Sequence, residues 1–308
     1  MKILNNINEF RDKPPVVLTI GSFDGVHLAH VPIIEEVVRQ GVESDSNSLV
    51  ITFEPHPQLV LKKDDDFKIL TTLSEKINKL SKLNIDYLLV PEFNKELYSL
   101  SPVDFIELLL KYLDIKGVVI GYNHTFGKGK VGNFNLLKDL SSKYGFKVTQ
   151  IPRINLDADK VSSSQIREKL FNCDIKGANK LLGYNYNFVG TVIYGDQLGR
   201  KIGFPTANLV IQDKAKLILP DSCYVVKVKV NNQIFNGMMY IGNRPTVNGL
   251  THNIEVNIFD FDDYIYGMEI TVYVLDYLRG DIKFDGLDAL IRQLKLDRLK
   301  SIEMLDSY

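Results

Sequence analysis

Up to about Gly183, short unbroken apolar runs alternate with stretches whose apolar residues recur every three or four positions. The runs at 16–20, 49–53, 87–90, 118–120 and 147–151 predict strands buried on both faces. The stretches at 32–39, 74–83, 102–113 and 134–144 predict helices. This βαβα rhythm implies a Rossmann-like parallel sheet sandwiched by helices. Ligands bind such sheets beyond the carboxyl ends of the strands, so the loops after strands are where chemistry is expected.

After Gly183-Tyr-Asn-Tyr the period drops to two. Tyr224, Val226, Val228 and Val230 share one face, and Lys227 and Lys229 the other. Asn231-Asn232 predicts a hairpin turn into a strand at 234–240, with further strands at 188–194, 253–259 and 268–275. Short strands at this spacing predict a small β-barrel. Leu287, Leu290, Ile291, Leu294, Ile302 and Leu305 predict a closing helix, with Asp285 as its N-cap. There is no internal repeat. Two unlike domains follow, 1–183 and 186–308, meeting in a polar, glycine-containing stretch.

Composition narrows the function classes. The 308 residues carry 37 Lys+Arg against 38 Asp+Glu, a net charge of −1. The balance holds in each half, with 24 basic against 23 acidic residues through position 185 and 13 against 15 after it. Neither half has the basic excess of a nucleic-acid or membrane-surface binder. No apolar run approaches the roughly 18 residues of a membrane span, and the first residues lack the apolar core of a signal peptide. Two cysteines, Cys173 and Cys223, are too few for a disulfide framework or a cysteine-rich metal site. A cytoplasmic protein acting on small molecules is expected.

The first strand runs into GSFDGVHLAH, residues 21–30. Gly21 and Gly25 permit a tight bend and close approach to a ligand. His27 and His30 are three apart, so a helical turn puts both imidazoles on one face, beside helix N-terminal amides that attract phosphate. Two imidazole donors over an α-phosphate could stabilise charge as pyrophosphate leaves; a metal pair or two surface histidines are the alternatives. VSSSQIR at 161–167 sets Ser162, Ser163 and Ser164 before a helical stretch, either as an N-cap or, with Arg167, as a partner for a triphosphate. GYNHTFGK at 121–128 is not a Walker A loop, because five residues separate its glycines and Gly129 follows the lysine. Lys128 and Lys130 are expected to be solvated, and the run 62–66 to be an exposed loop.

In the second half, GRKIGFPTAN at 199–208 presents Thr206 and Asn208 on a segment stiffened by Pro205. A hydroxyl and an amide oxygen suit Mg²⁺ bridging nucleotide phosphates, and an ordinary β-turn is the alternative. Ile254, Val256 and Ile258 share one strand face, so Glu255 and Asn257 project from the other. Glu255 is either a solvated carboxylate or a base for an attacking alcohol.

Together these segments resemble known families. GSFDGVHLAH resembles the HxGH signature of α/β nucleotidylyltransferases, and VSSSQIR the Ser-Ser-Thr-x-x-Arg element of their flavin-adenylylating members. TFEPHP at 52–57 resembles that family's loop after the second strand, and GYNHTFG its flavin-side loop. GRKIGFPTAN, GMMYIGNRPT at 237–246, EVNIFDFD at 255–262 and LRGDIKF at 278–284 are similar, in order, to the riboflavin kinase module, a six-stranded barrel with a C-terminal helix. The whole chain thus resembles the bacterial bifunctional riboflavin kinase/FMN adenylyltransferase family. That resemblance implies riboflavin, FMN, FAD and ATP as ligands and Mg²⁺ as cofactor. It implies nucleotide contacts at Gly21, Phe23, Asp24, Gly25, Asn123, Ser162 and Ser163, and adenylyl-transfer roles for His27, His30, Ser164 and Arg167. In the barrel it implies ligand contacts at Gly199, Arg200, Gly203, Pro205 and Arg279, Mg²⁺–ATP at Thr206 and Asn208, and Glu255 as base. A single-activity paralogue and a non-catalytic flavin binder are the rivals. Ala29, Ser164, Asn257 and Gly280-Asp281 depart from the usual patterns.

Overall fold

The computed structural model describes residues 1–61, 66–156, 159–195, 197–246 and 249–308; at 198, 243–246 and 249–252 the description is of backbone alone. Of the expected exposed loop at 62–66, all but Asp66 lies outside the described residues. The chain divides into two compact units, Met1–Ser163 and Ser164–Tyr308.

In the first unit, strands β1 (Lys2–Leu4), β2 (Pro15–Ile20), β3 (Asn47–Ile51), β4 (Tyr87–Leu89), β5 (Asp114–Gly121) and β6 (Lys147–Ile151) form one parallel sheet in the order β1-β4-β3-β2-β5-β6. Helices α1 (Val31–Glu43), α2 (Pro57–Leu61), α3 (Leu73–Leu80), α4 (Lys95–Ser99), α5 (Pro102–Tyr112) and α6 (Phe134–Tyr144) connect the strands, and a small hairpin, β7 (Asn155–Leu156) with β8 (Asp159–Lys160), follows. Side chains alternate across β2 as the two-residue period demands. Val16, Leu18 and Ile20 join one core with Leu109 and Leu137, while Val17 joins another with Ile33 and Val37 of α1. From β2 the chain proceeds one way through β3 and β4, then returns to lay β5 on the other side of β2. Strand order therefore reverses between β2 and β5, and the crevice beyond their carboxyl ends is the topological switch point. The loops at 21–30 and 121–127 start there.

In the second unit, α7 (Ser163–Phe171, beginning at the last residue of the first unit) and α8 (Ile175–Leu182) precede a closed antiparallel barrel. Its strands are β9 (Asn187–Ile193), β10 (Ala207–Val210), β11 (Ser222–Val230), β12 (Gln233–Thr246), β13 (Gly249–Ile258) and β14 (Glu269–Gly280), in the order β10-β13-β12-β11-β14-β9, with a short α9 (Leu198–Lys201) after β9. Tyr224, Val226 and Val228 are fully buried in β11, whereas Cys223 and Val225 on its opposite face pack with Leu294 and Leu305 of α10 (Leu287–Leu305). Asn231 takes a φ of 53° in the two-residue turn between β11 and β12, as the hairpin expectation requires.

One expectation is corrected. The N-cap of α10 is Gly286, at a φ of 105° with no side-chain cap, so Asp285 does not cap the helix. The compact units divide at Ser163/Ser164, with α8 packed on β14 in the second. Asn179 clamps the junction: its Nδ2 donates to the Val274 carbonyl at 2.9 Å and its Oδ1 accepts from the Tyr186 amide at 2.7 Å.

Candidate active sites

The loop after β2 is held in an uncommon backbone path. Phe23, Gly25 and Val26 have φ of 45°, 85° and 39°, and a β-branched residue in that region persists only where its surroundings fix it. Asp24 does the fixing. It is 1% exposed, and its carboxylate accepts the amides of Leu70 and Thr71 at 2.9–3.1 Å. Its backbone carbonyl accepts the Ser163 hydroxyl at 2.9 Å, within the same unit. A carboxylate so engaged shapes the loop; at a triphosphate it would repel.

His27 and His30 are brought together by the turn that leads into α1, where the His30 amide donates to the His27 carbonyl at 2.7 Å. Their rings stack with centroids 3.6 Å apart and planes at 18°, and Phe23 abuts His30 edge-on at 5.2 Å. Stacked rings do not converge their lone pairs on one ion, which argues against a metal pair. The Ala29 amide donates to His27 Nδ1 at 3.3 Å, so a neutral His27 carries its proton on Nε2. His30 Nδ1 is buried without a partner. Burial, then the neighbouring His27, then the Lys76 ammonium hold the His30 pKa well below the usual histidine value. The amides of α1 contribute less than expected: Val31 donates back to the His27 carbonyl, and Pro32 has no N–H.

Lys76 was not visible as a site residue in the sequence. A Thr72–Glu75 capping box starts α3 and sets Lys76 in the following turn, 3% exposed, with its Nζ donating to Thr52 Oγ1 at 3.2 Å. Thr52 in turn donates to the Ser22 carbonyl at 3.1 Å. A buried cation thus stands behind the 21–30 loop, its pKa lowered by burial against the opposing pull of Asp24 and Glu54. In the TFEPHP loop, His56 stacks on Phe67 and accepts the Gln58 amide at its Nδ1. Across the switch point, Asn123 is exposed, as are Lys128 and Lys130. His124 Nε2 is buried without a partner, and burial pushes its pKa down to about 4. On α7, Ser164 is exposed and Arg167 half-buried, three residues apart and hence on one side of the helix.

These histidines set an acid limit. His124 takes up its proton near pH 6.5 when unfolded but only near pH 4 when folded, and His30 is shifted the same way. The unfolded state therefore binds more protons in that window, and stability falls as pH drops through it. From pH 7 to pH 5, His124 alone should cost about 2 kcal/mol. In urea melts at the two pH values, His124→Phe should lose less than the wild type; equal losses would show that His124 does not carry the effect.

The barrel carries its own cleft, a cavity of about 280 Å³. Ile202, Phe204, Met238, Met239, Leu290 and Leu294 supply apolar walls, and Thr206, Glu255, Asn257 and Arg279 the polar groups. The 199–208 segment turns sharply: a Cβ on Gly199 would sit 2.2 Å from the Phe204 carbonyl oxygen, and Gly203 has a φ of 83°. Two outward residues of β13 hold this segment. Asn257 Nδ2 donates to the Pro205 carbonyl at 2.6 Å, and the Thr206 hydroxyl donates to Glu255 Oε2 at 3.0 Å. Asn253 Nδ2 donates to Glu255 Oε1 at 2.7 Å, so both carboxylate oxygens are oriented. Asn208 lies directly opposite Glu255 across the β10–β13 pair. Arg279 is engaged by the buried Asp297 of α10 through Nε and Nη2 at 2.7–3.0 Å. Arg200 is exposed on α9. Burial raises the Cys223 thiol to about 12, which leaves it a wall residue and no nucleophile.

A parallel sheet with an imidazole pair at its switch point, and in the same chain a closed barrel whose cleft joins apolar walls to a carboxylate and a hydroxyl, define a two-part nucleotide-dependent transferase. The FAD synthetase family matches residues 9–165, and the riboflavin kinase family matches residues 182–305. The bifunctional riboflavin kinase/FMN adenylyltransferase of Bacillus subtilis is 37% identical over 291 residues, covering 93% of this chain and 91% of that protein. Its Escherichia coli K12 counterpart is 33% identical over 307 residues, covering 98% and 97%. A Streptococcus pneumoniae crystal structure, described as a macrolide-efflux protein, superposes with a TM-score of 0.88 at 31% identity, covering 97% of this chain and 98% of that one. The chain belongs to the bifunctional riboflavin kinase/FMN adenylyltransferase family. No helix among the described residues is long and apolar enough to cross a membrane.

Proposed function

We propose that the chain phosphorylates riboflavin to FMN and adenylylates FMN to FAD, with ATP as co-substrate of both steps. One observation carries this: each half matches its own family, and it is supported by the stacked His27–His30 pair in the first half and the Glu255-lined cleft in the second. Matches in both halves favour two activities over a single-activity paralogue or a non-catalytic flavin binder. The setting is the cytoplasm.

In the kinase step, the riboflavin 5′-hydroxyl oxygen attacks the γ-phosphorus, the bond to the bridging oxygen breaks, and ADP leaves. Glu255 takes the hydroxyl proton, with Thr206 and Asn253 orienting its carboxylate. The apolar walls take the flavin ring, with Arg279 at the rim. Gly199, Arg200, Gly203 and Pro205 form the nucleotide loop, whose glycines permit close approach of phosphate. Thr206 and Asn208 fit Mg²⁺. With the Thr206 proton directed to Glu255, the hydroxyl lone pairs remain for a hard cation, and the Asn208 amide oxygen is of the same kind. Among the described residues no cluster of three or more His, Cys, Asp or Glu could hold a metal. Bound there, Mg²⁺ supplies charge neutralisation on the phosphates.

In the adenylyl step, an FMN phosphate oxygen attacks the α-phosphorus of ATP and pyrophosphate leaves. His27 and His30 donate to the α-phosphate, and Ser164 and Arg167 engage the pyrophosphate. Gly21, Phe23, Gly25, Asn123, Ser162 and Ser163 line the nucleotide and flavin, and Asp24 holds the loop.

The reactions are assigned to modules 1–183 and 186–308. Residues 186–308 alone should fold and convert riboflavin to FMN. Residues 164–308 should do so with a higher thermal midpoint, because α8 buries Ile175, Ala178, Leu181 and Leu182. A 186–308 fragment that is folded by circular dichroism yet inert toward riboflavin and Mg²⁺–ATP would overturn the assignment of the kinase to the barrel.

A further inference from the structure

Asn257 Oδ1, in the wall of the barrel cleft, is a buried acceptor without a hydrogen-bond partner. The residue is 3% exposed. Its orientation is settled by chemistry: the atom 2.6 Å from the Pro205 carbonyl must be a donor, so Nδ2 faces Pro205 and Oδ1 is the atom left over. Burying an unmet acceptor costs the free protein stability that a ligand donor can restore. Residues two apart on one strand face have Cα atoms about 6.7 Å apart, so Asn257 is the next residue along that face from Glu255. If the terminal hydroxyl of the substrate meets Glu255, the matching donor lies a short way along the molecule. Riboflavin carries secondary hydroxyls on its side chain within that reach, whereas its ring N–H lies at the far end of the flavin.

We propose that Asn257 Oδ1 accepts a hydrogen bond from a secondary hydroxyl of the riboflavin side chain, so that the cleft selects hydroxylated flavins over deoxy ones. This rests on the assignment of the cleft to riboflavin and of Glu255 to the terminal hydroxyl.

The test is binding to the full chain, read by quenching of flavin fluorescence. The ligands are riboflavin and analogues that each lack one secondary hydroxyl but keep the terminal one. The wild type should bind at least one analogue about tenfold or more weakly than riboflavin, and Asn257→Ala should bind the two equally. A residue that only tethers Pro205 would weaken both ligands alike, and discrimination surviving in Asn257→Ala would overturn the proposal. Asn257→Val, a β-branched residue suited to the strand, provides a second variant with the same expected result. A wild type indifferent to every deoxy analogue would overturn the proposal with no variant needed. Failure of riboflavin itself to bind would overturn the assignment of the cleft.

Discussion

Glu255→Gln should lower riboflavin phosphorylation by a factor of about 10²–10⁴, the usual worth of a general base, while adenylylation of supplied FMN continues at the wild-type rate. The amide keeps the size and one acceptor oxygen, so the Thr206 hydroxyl retains a partner and the cleft keeps its shape. What is lost is the capacity to take a proton from the attacking hydroxyl. The charge sits where that loss matters, between the hydroxyl of Thr206 and the amide of Asn253 and opposite Asn208 on β10. A variant that phosphorylates riboflavin normally would reduce Glu255 to a structural strand residue and move the base elsewhere.

His27→Ala and His30→Ala should each lower FAD formation from FMN by about 10²–10³-fold, the usual cost of removing one preorganised donor to developing charge. FMN formation from riboflavin should be unchanged, because the barrel carries a separate set of groups. The two losses should not add. The rings stack at 3.6 Å, so removing either one frees the other from its fixed orientation. His27→Ala also removes the acceptor of the Ala29 amide, and His30→Ala removes the ring against which Phe23 packs. FAD synthesis at the wild-type rate in both variants would remove the pair from the mechanism.

The sheet was legible because its inner strands are apolar on both faces, and the pattern gives them away without any partner in view. Its edge was not. In β1 only Leu4 is buried, and Ile3 is 42% exposed, so three residues there carry no period. Strand β10 was hidden for a different reason: Gly203 and Pro205 mark a turn, and only four strand residues follow them. The sites divide in the same way. His27, His30, Thr206 and Glu255 could be proposed from residue type and spacing, and the structure brings each pair together. Asp24, expected at the nucleotide, straps Leu70 and Thr71, partners 46 and 47 positions away that no local pattern announces. Lys76 looks like any polar residue of an amphipathic helix until the fold closes over it. Asn257 projects from the expected strand face, but its orphaned oxygen exists only because Pro205 is clamped from the other end of the amide.

The most direct test is a time course of the purified full chain with riboflavin, ATP and Mg²⁺, resolving flavins by chromatography. FMN should appear first, with ADP, and FAD should follow at its expense with release of pyrophosphate. Riboflavin left unconverted by a folded chain would contradict the account, and FMN that accumulates without ever yielding FAD would contradict its adenylyl half.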